Sequence, residues 1–327
     1  MRAAVMMEGG AIGLTTVEDP QPGPGELLLR VSACGLCGSD LKARGAMSPG
    51  VIMGHEFGGE VVGVGPGTIG WTEGVQAAVL PVASCGSCGA CRAGDVAHCS
   101  SAALLGLGGG PGGFAELAVV PAASAFTLPD ALPPVSAALV EPYAVGLHTI
   151  AAVGVESGDS VLVMGAGTVG LTSMTWARLH GAERITVVDP NAARRDAAER
   201  CGATDGLVSA DEAAPHSFDV AIDCVGKPGL LNACITATRP KGSIVVAGVC
   251  TEQDPFWSIA ALMKELTIRF AVYYTPDEFR SVIDAFGSGA VEPAGLMGRT
   301  MKLDALPEAF EMLRAGSIAG KILIDPS

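Results

Sequence analysis

Residues 160–170 read Ser160-Val-Leu-Val-Met-Gly-Ala-Gly-Thr-Val-Gly170. Ser160 to Met164 has the length and the apolar side chains of a buried parallel strand. Gly165-Ala166-Gly167-Thr168-Val169-Gly170 follows at once, Leu171 to His180 reads as a helix, and Ile185 to Val188 as the next strand. Asp189 closes that strand, nineteen residues past Gly170. Alone, G-x-G-x-x-G says little; between a strand and a helix, with an acid at this distance, it marks a dinucleotide-binding unit. Gly165 permits the tight turn, Gly167 lets a pyrophosphate approach the backbone, and Gly170 lets helix pack on strand. The helix N-terminus then offers its free N–H groups to the phosphates.

Asp189 is placed to hold two adenosine ribose hydroxyls and to repel a 2′-phosphate, which favours NAD over NADP. Arg194 and Arg195 argue the other way. A helix from Asn191 to Cys201 puts Arg194 along the adenine side and Arg195 in solvent. The βα rhythm continues with strands at Asp219–Cys224 and Ser243–Ala247, a helix from about Gly229 to Thr238, and an edge strand at Leu266–Val272. This alternation predicts a doubly wound parallel sheet, the Rossmann arrangement, over residues 142–271.

Outward from that unit the pattern changes. Residues 1–141 carry short alternating runs such as Glu26–Val31 and Glu60–Val64 among many Gly and Pro, which predicts a β-rich domain. Residues 272–327 are expected to return to it, with Lys321–Asp325 as a closing strand. The formal net charge of −14 opposes nucleic acid and anionic membrane surfaces as partners. The start lacks the apolar run of a signal peptide, and the most apolar stretch, 135–155, is broken by Glu141, Pro142, Gly146 and Gly154. A cytoplasmic protein is expected, with its ten cysteines as thiols or metal ligands.

Four of the ten lie within fifteen residues, Cys85, Cys88, Cys91 and Cys99, spaced C-x2-C-x2-C-x7-C. Thiolates at such spacing can close a tetrahedron around zinc, and a four-sulfur site keeps no place for substrate. A second group is open. Cys37, His55 and a carboxylate from Glu56 or Glu141 would give three donors and a vacancy. Cys201, Cys224, Cys234 and Cys250 have no metal spacing and read as buried fillers.

Cys37-Gly-Ser-Asp40, Gly54-His55-Glu56-Phe-Gly-Gly, the four-cysteine loop and Gly165 to Gly170 occur in this order. Together they resemble the zinc-dependent medium-chain alcohol dehydrogenases, over nearly the whole chain. The resemblance implies a GroES-like catalytic domain beside the Rossmann domain, with the active site in the cleft between them. It makes Cys37 and His55 catalytic zinc ligands, with Glu141 or Glu56 as the third, and Cys85, Cys88, Cys91 and Cys99 a structural zinc site. Glu141 within Glu-Pro-Tyr-Ala-Val-Gly-Leu-His is similar to the sorbitol and threonine dehydrogenase branch, in which Glu56 would exchange with water. Asp40 would orient a ligand, and His148, seven residues past Glu141, is read as a structural helix residue.

The resemblance further implies hydride transfer between a secondary alcohol or polyol and NAD, with zinc as Lewis acid and two zinc ions per chain. Ser39 would take the alcohol proton first. The His that often follows five residues after the first ligand is here Lys42, read as facing solvent. Val169, Val225, Ala247 and Val249 would flank the nicotinamide, and Phe114, Met47, Ser48 and Leu104 are substrate-pocket candidates. The short loop from Lys42 to Met53 suggests room for a bulkier alcohol. The exposed edge near Leu266–Val272 suggests a homodimer or homotetramer, as in relatives. The competing readings are an NADP(H)-preferring reductase of the same superfamily, a homologue that binds dinucleotide without turnover, and a zinc module for nucleic acid. The single Arg and absent Lys between Cys85 and Cys99 oppose the last.

Overall fold

The structure, a computed structural model, describes all residues from Met1 to Ser327. The chain forms two units, Met1–Glu141 with Thr275–Ser327, and Pro142–Tyr274. The return to the first unit falls at Thr275 because a helix is capped there. Thr275 Oγ1 accepts from the Glu278 amide at 3.2 Å, and Glu278 accepts from the Thr275 amide at 2.7 Å.

The first unit is built on the strand Glu26–Leu36, which pairs antiparallel with Glu56–Val64, Leu117–Pro121 and Lys321–Asp325. Its side chains alternate at first: Leu27, Leu29 and Val31 are buried, Arg30 exposed. Beyond a bulge near Val31 the alternation stops, and Ala33, Cys34, Gly35 and Leu36 are all buried. That end of the strand leads into the candidate site. Lys321–Asp325 forms a strand, but it is not the sheet edge, since Met297–Lys302 pairs with it in parallel outside. The core gathers Leu27, Leu29, Phe57, Phe114 and Phe310.

The second unit is a six-stranded, wholly parallel sheet. Its spatial order is Asp205–Leu207, Arg184–Val188, Ser160–Met164, Phe218–Asp223, Thr238–Val246, Thr267–Phe270. In chain order that is 3-2-1-4-5-6, the doubly wound pattern whose order reverses beside Ser160–Met164. The short strand Asp205–Leu207 carries no apolar alternation and was not legible in the sequence. The helix after the glycine turn begins at Thr168, three residues before the reading, because the turn itself supplies the first helical residues. The apolar stretch read as broken is one helix, Ala137–Val153, with Pro142 inside it. With its lead-in from Pro134 it is long and apolar enough to cross a membrane, yet 67% of its apolar window is buried within the protein.

Candidate active site

The helix Gly38–Ala43 begins where the strand Glu26–Leu36 ends. Cys37 is its N-cap, and Asp40 Oδ2 accepts from the Cys37 amide at 2.9 Å. Asp40 Oδ1 lies 3.2 Å from Nδ1 of His55. Asp40 is fully buried and His55 nearly so. The carboxylate holds the proton on Nδ1 and leaves the Nε2 lone pair free to ligate a metal. Ser39 Oγ stands 3.3 Å from that Nε2. The ligand atoms of Cys37, His55 and Glu56 all lie within 4.8 Å of one another. One thiol, one imidazole and one carboxylate make a donor set suited to zinc with a place left open. Burial disfavours the charged imidazole, but Asp40 and Cys37 outweigh it and hold the His55 pKa well above 6.5.

Glu141 is not brought into that group of three. It is buried, and it stands close enough to Lys321 to stabilise the ammonium. Lys321 had no role in the sequence beyond its strand. Its Nζ donates to Glu56 Oε1 at 2.5 Å, with both side chains 1% exposed. The only signal was a lysine opening an otherwise apolar strand, Lys-Ile-Leu-Ile. Phe114, a pocket-wall candidate, is instead core: it is 1% exposed and meets Phe310 edge-on at 6.4 Å between centroids. Met47 packs half-buried on the same core, Leu104 pairs with Val82, and Ser48 is exposed. Lys42 is exposed in the last turn of its short helix.

In the cysteine loop the four sulfurs converge. Cys85 and Cys99 are 3.5 Å apart, Cys88 and Cys91 3.5 Å, Cys85 and Cys91 3.9 Å. Four sulfurs around one zinc at about 2.3 Å stand roughly 3.8 Å apart, so the spacing fits. Amides of Ser87 and Cys88 pull the Cys85 thiol down to about 5, and amides of Cys91 and Ser100 lower Cys88. Burial and then Cys88 push Cys91 up to about 11. The loop thus carries thiolate character before any metal arrives.

The second unit builds the dinucleotide motif. Gly165 has φ +95°, and a Cβ on Gly170 would lie 1.9 Å from the Gly165 carbonyl oxygen. A Cβ on Gly167 would meet nothing within 4 Å, so that face of the turn is open. Asp189 is buried and locks the turn: Oδ2 accepts from the Ala166 amide at 3.0 Å and Oδ1 from the Asn191 amide at 2.9 Å. Arg194 Nη1 is 3.9 Å from Asp189 Oδ2. Arg195 is not in solvent, because its guanidinium donates to the Asp189 carbonyl at 2.6 Å and its aliphatic stem lies over Gly206.

Asp223, passed over in the sequence, closes the neighbouring strand end. Its carboxylate accepts from Val225 and Gly226, and its carbonyl from Ala247 and Gly248. An acid ending a buried strand just before a glycine turn was the available signal. Val169, Val225 and Ala247 are half-buried; Val249 is 56% exposed. His148 is half-buried on its helix. Cys201 and Cys234 are buried, whereas Cys224 is half-buried, and Cys250 is not a filler: its half-exposed thiol donates to the Glu252 carbonyl.

Residues 23–130 match the family Alcohol dehydrogenase GroES-like domain, and residues 168–288 match Zinc-binding dehydrogenase. With the parallel 3-2-1-4-5-6 sheet and the two donor clusters, the chain belongs to the zinc-dependent medium-chain dehydrogenases. Within them it is 33% identical over 342 residues to L-threonine 3-dehydrogenase of Pyrococcus abyssi, across 98% of this chain and 97% of that one. A zinc-binding dehydrogenase from Sinorhizobium meliloti solved with NADP superposes with TM-score 0.93, at 31% identity over 99% of each chain. The rspB alcohol dehydrogenase of Escherichia coli CFT073, solved with NADH, gives 0.92 at 27% identity, covering 100% of this chain and 99% of that one. The chain is an oxidoreductase of this family, with a GroES-like part and a Rossmann part.

Proposed function

We propose that the protein interconverts a secondary alcohol or polyol and its ketone with NAD(H), holding one zinc at Cys37, His55 and a carboxylate from Glu56 or Glu141, and a second at Cys85, Cys88, Cys91 and Cys99. The observation that carries this reading is the mutual reach of Cys37, His55 and Glu56, a three-donor set with the imidazole tautomer already fixed by Asp40. Zinc bound there supplies Lewis-acid polarisation of the substrate oxygen, and the nicotinamide supplies the hydride chemistry.

The chain's own residues do the rest. Asp40 orients His55, and the Cys37 helix cap sets the thiolate beside it. The Ser39 hydroxyl, half-buried at 3.3 Å from His55 Nε2, takes the alcohol proton, which passes to water while Lys42 stays in solvent. Gly165, Gly167, Thr168, Val169 and Gly170 cradle the pyrophosphate. Asp189 takes the ribose hydroxyls with Arg194 beside it, and Val225, Ala247 and Val249 flank the nicotinamide. Arg194 near Asp189, together with the NADP-bound relative, favours the second reading, an NADP(H)-preferring reductase.

The substrate class follows from the threonine dehydrogenase likeness, since threonine is oxidised there at a secondary carbon. The edge strand Thr267–Phe270 beside exposed Trp257, Leu262 and Met263 supports a homo-oligomer. Ten free cysteines fit a reducing cytoplasm. The test is a panel of secondary alcohols, polyols and 3-hydroxy amino acids with NAD or NADP, on protein of measured zinc content. NAD-linked turnover of secondary alcohols that disappears when zinc is stripped is expected. Turnover of small primary alcohols only, or none on zinc-replete protein, overturns the proposal, and equal efficiency with NADP favours the second reading.

A further inference from the structure

Lys321 is among the largest fully buried side chains of the protein. It comes from the far end of the chain, 265 residues from Glu56, and its Nζ lies 2.5 Å from that carboxylate. Room for the pair is made by Gly35, which sits opposite Glu56 on the neighbouring strand. A Cβ at Gly35 would fall 2.0 Å from Glu56 Oε2 and 2.9 Å from Lys321 Cε. Three strands therefore cooperate to bury two opposite charges. Ion pairs this deep are a poor source of stability compared with apolar packing of the same volume, so a different role is indicated.

Cys37, His55 and Glu56 stand within reach of one another, and Glu141, outside that group, is buried near Lys321 as the alternative carboxylate. Bound with equal strength the four would close a tetrahedron and leave no position for substrate, as in a structural zinc site. One of them must be weakened. The Lys321 ammonium is fully buried beside these donors. It touches one of them, Glu56.

We propose that Lys321 is a positioning residue of the metal centre: its ammonium competes with the metal for the Glu56 carboxylate, keeps Glu56 an exchangeable donor, and so preserves a coordination place for substrate. This rests on the zinc reading above.

The test compares wild type, Lys321→Met, Glu56→Gln and the double variant, loaded with zinc and separately with cobalt. Metal affinity at the open site is read by chelator competition, coordination by the visible cobalt spectrum, and turnover by kcat and KM. Lys321→Met should bind metal about tenfold more tightly, weaken the cobalt bands as coordination rises, and lower kcat more than KM changes. The double variant should return affinity and spectrum to the wild-type values, because the released carboxylate is gone.

Glu56→Gln alone keeps the ammonium and should change metal affinity less than about threefold; this decides the matter even if Lys321→Met does not fold. Unchanged or weaker metal binding in Lys321→Met with an unaltered cobalt spectrum overturns the proposal, as does a loss near a hundredfold in Glu56→Gln. A wild type that takes up only the four-cysteine metal defeats the zinc reading itself, and this proposal with it.

Discussion

Asp40 faces two ways, with one carboxylate oxygen 3.2 Å from Nδ1 of His55 and the other accepting the Cys37 amide at 2.9 Å. One buried acid thus fixes both the imidazole and the thiol-bearing turn. Asp40→Ala should lower metal affinity at the open site roughly 10–100-fold, the usual effect of losing such a partner. The same contact sets a pH dependence. A raised His55 pKa means that the metal-free imidazole is protonated below a pH well above 6.5, and metal must displace that proton. Metal uptake by wild type should therefore fall as pH drops through that region. In Asp40→Ala the proton competes only at lower pH, so the midpoint shifts down. Equilibrium dialysis over a pH series measures both effects.

The cysteine loop should behave as a separate metal site. Its sulfur spacing of 3.5–3.9 Å suits zinc, and Cys99 is buried while Cys85 is exposed. Cys99→Ser should remove one zinc of two and make 85–99 a protease-sensitive segment. The open site should keep its metal, because none of its donors comes from this loop. Mass spectrometry of the native protein and limited proteolysis check this, and loss of both ions together would contradict it.

Asp219 ties two central strands of the Rossmann sheet. Its carboxylate accepts from the Ser160 amide at 2.8 Å, the Ser160 hydroxyl at 2.6 Å and Arg239 at 2.6 Å. Burial pushes its pKa up, but the bonds from Ser160 and Arg239 outweigh that and bring it down to about 2. A folded-state value below the ordinary 3.8 stabilises the fold at pH above 3.8 and loses that contribution as pH falls towards 2. Asp219→Asn should melt below wild type at neutral pH, with the gap closing between about pH 4 and pH 2. Thermal melts by circular dichroism across that range test the sign.

What the sequence disclosed, and what it hid, divides along physical lines. The glycine turn was legible because a strand, a turn needing positive φ at Gly165, and an acid after the next strand recur at fixed spacing. Cys37, His55 and Glu56 were legible as metal-binding residue types. Lys321 was not, because its partner lies 265 residues away and only the sheet register brings them together. Asp205–Leu207 was missed because a three-residue strand held by one neighbour needs no apolar pattern. Phe114 was misread because the Met53 carbonyl accepts its amide and Phe310 packs against its ring, which turn it into the core. Lys321 and Phe114 both turn on contacts made far along the chain.

Eight of the fourteen large apolar side chains left exposed fall between Val249 and Val272, among them Trp257 at 76% and Met263 at 75%. They accompany Thr267–Phe270, whose outer edge has no strand beside it. From Phe256 to Val272 the only charged residues are Lys264, Glu265 and Arg269. In a chain of net charge −14, so sparsely charged a stretch would offer a second copy little repulsion. Leu262→Glu with Trp257→Glu should halve the particle mass or more in sedimentation velocity, with the far-ultraviolet dichroism unchanged. An unaltered mass would place the interface elsewhere.

On the function proposed above, cofactor choice would rest on Asp189 and Arg194. The carboxylate is already engaged by the Ala166 and Asn191 amides, and it keeps lone pairs free to accept two hydroxyls. Asp189→Ala removes those acceptors and the lock on the glycine turn. Hydrogen bonds to a charged group contribute about 1.5–3 kcal/mol each, so losing even one net bond should weaken NADH binding roughly 10–100-fold. NADPH gains from the same change, because the charge facing its 2′-phosphate disappears while Arg194 remains. Arg194→Ala should act the opposite way, lowering NADPH affinity several-fold more than NADH affinity, since a guanidinium recognises phosphate better than hydroxyl. Titration of nicotinamide fluorescence on the two variants gives the four dissociation constants, and parallel losses for both cofactors in Arg194→Ala would remove this arginine from the specificity argument.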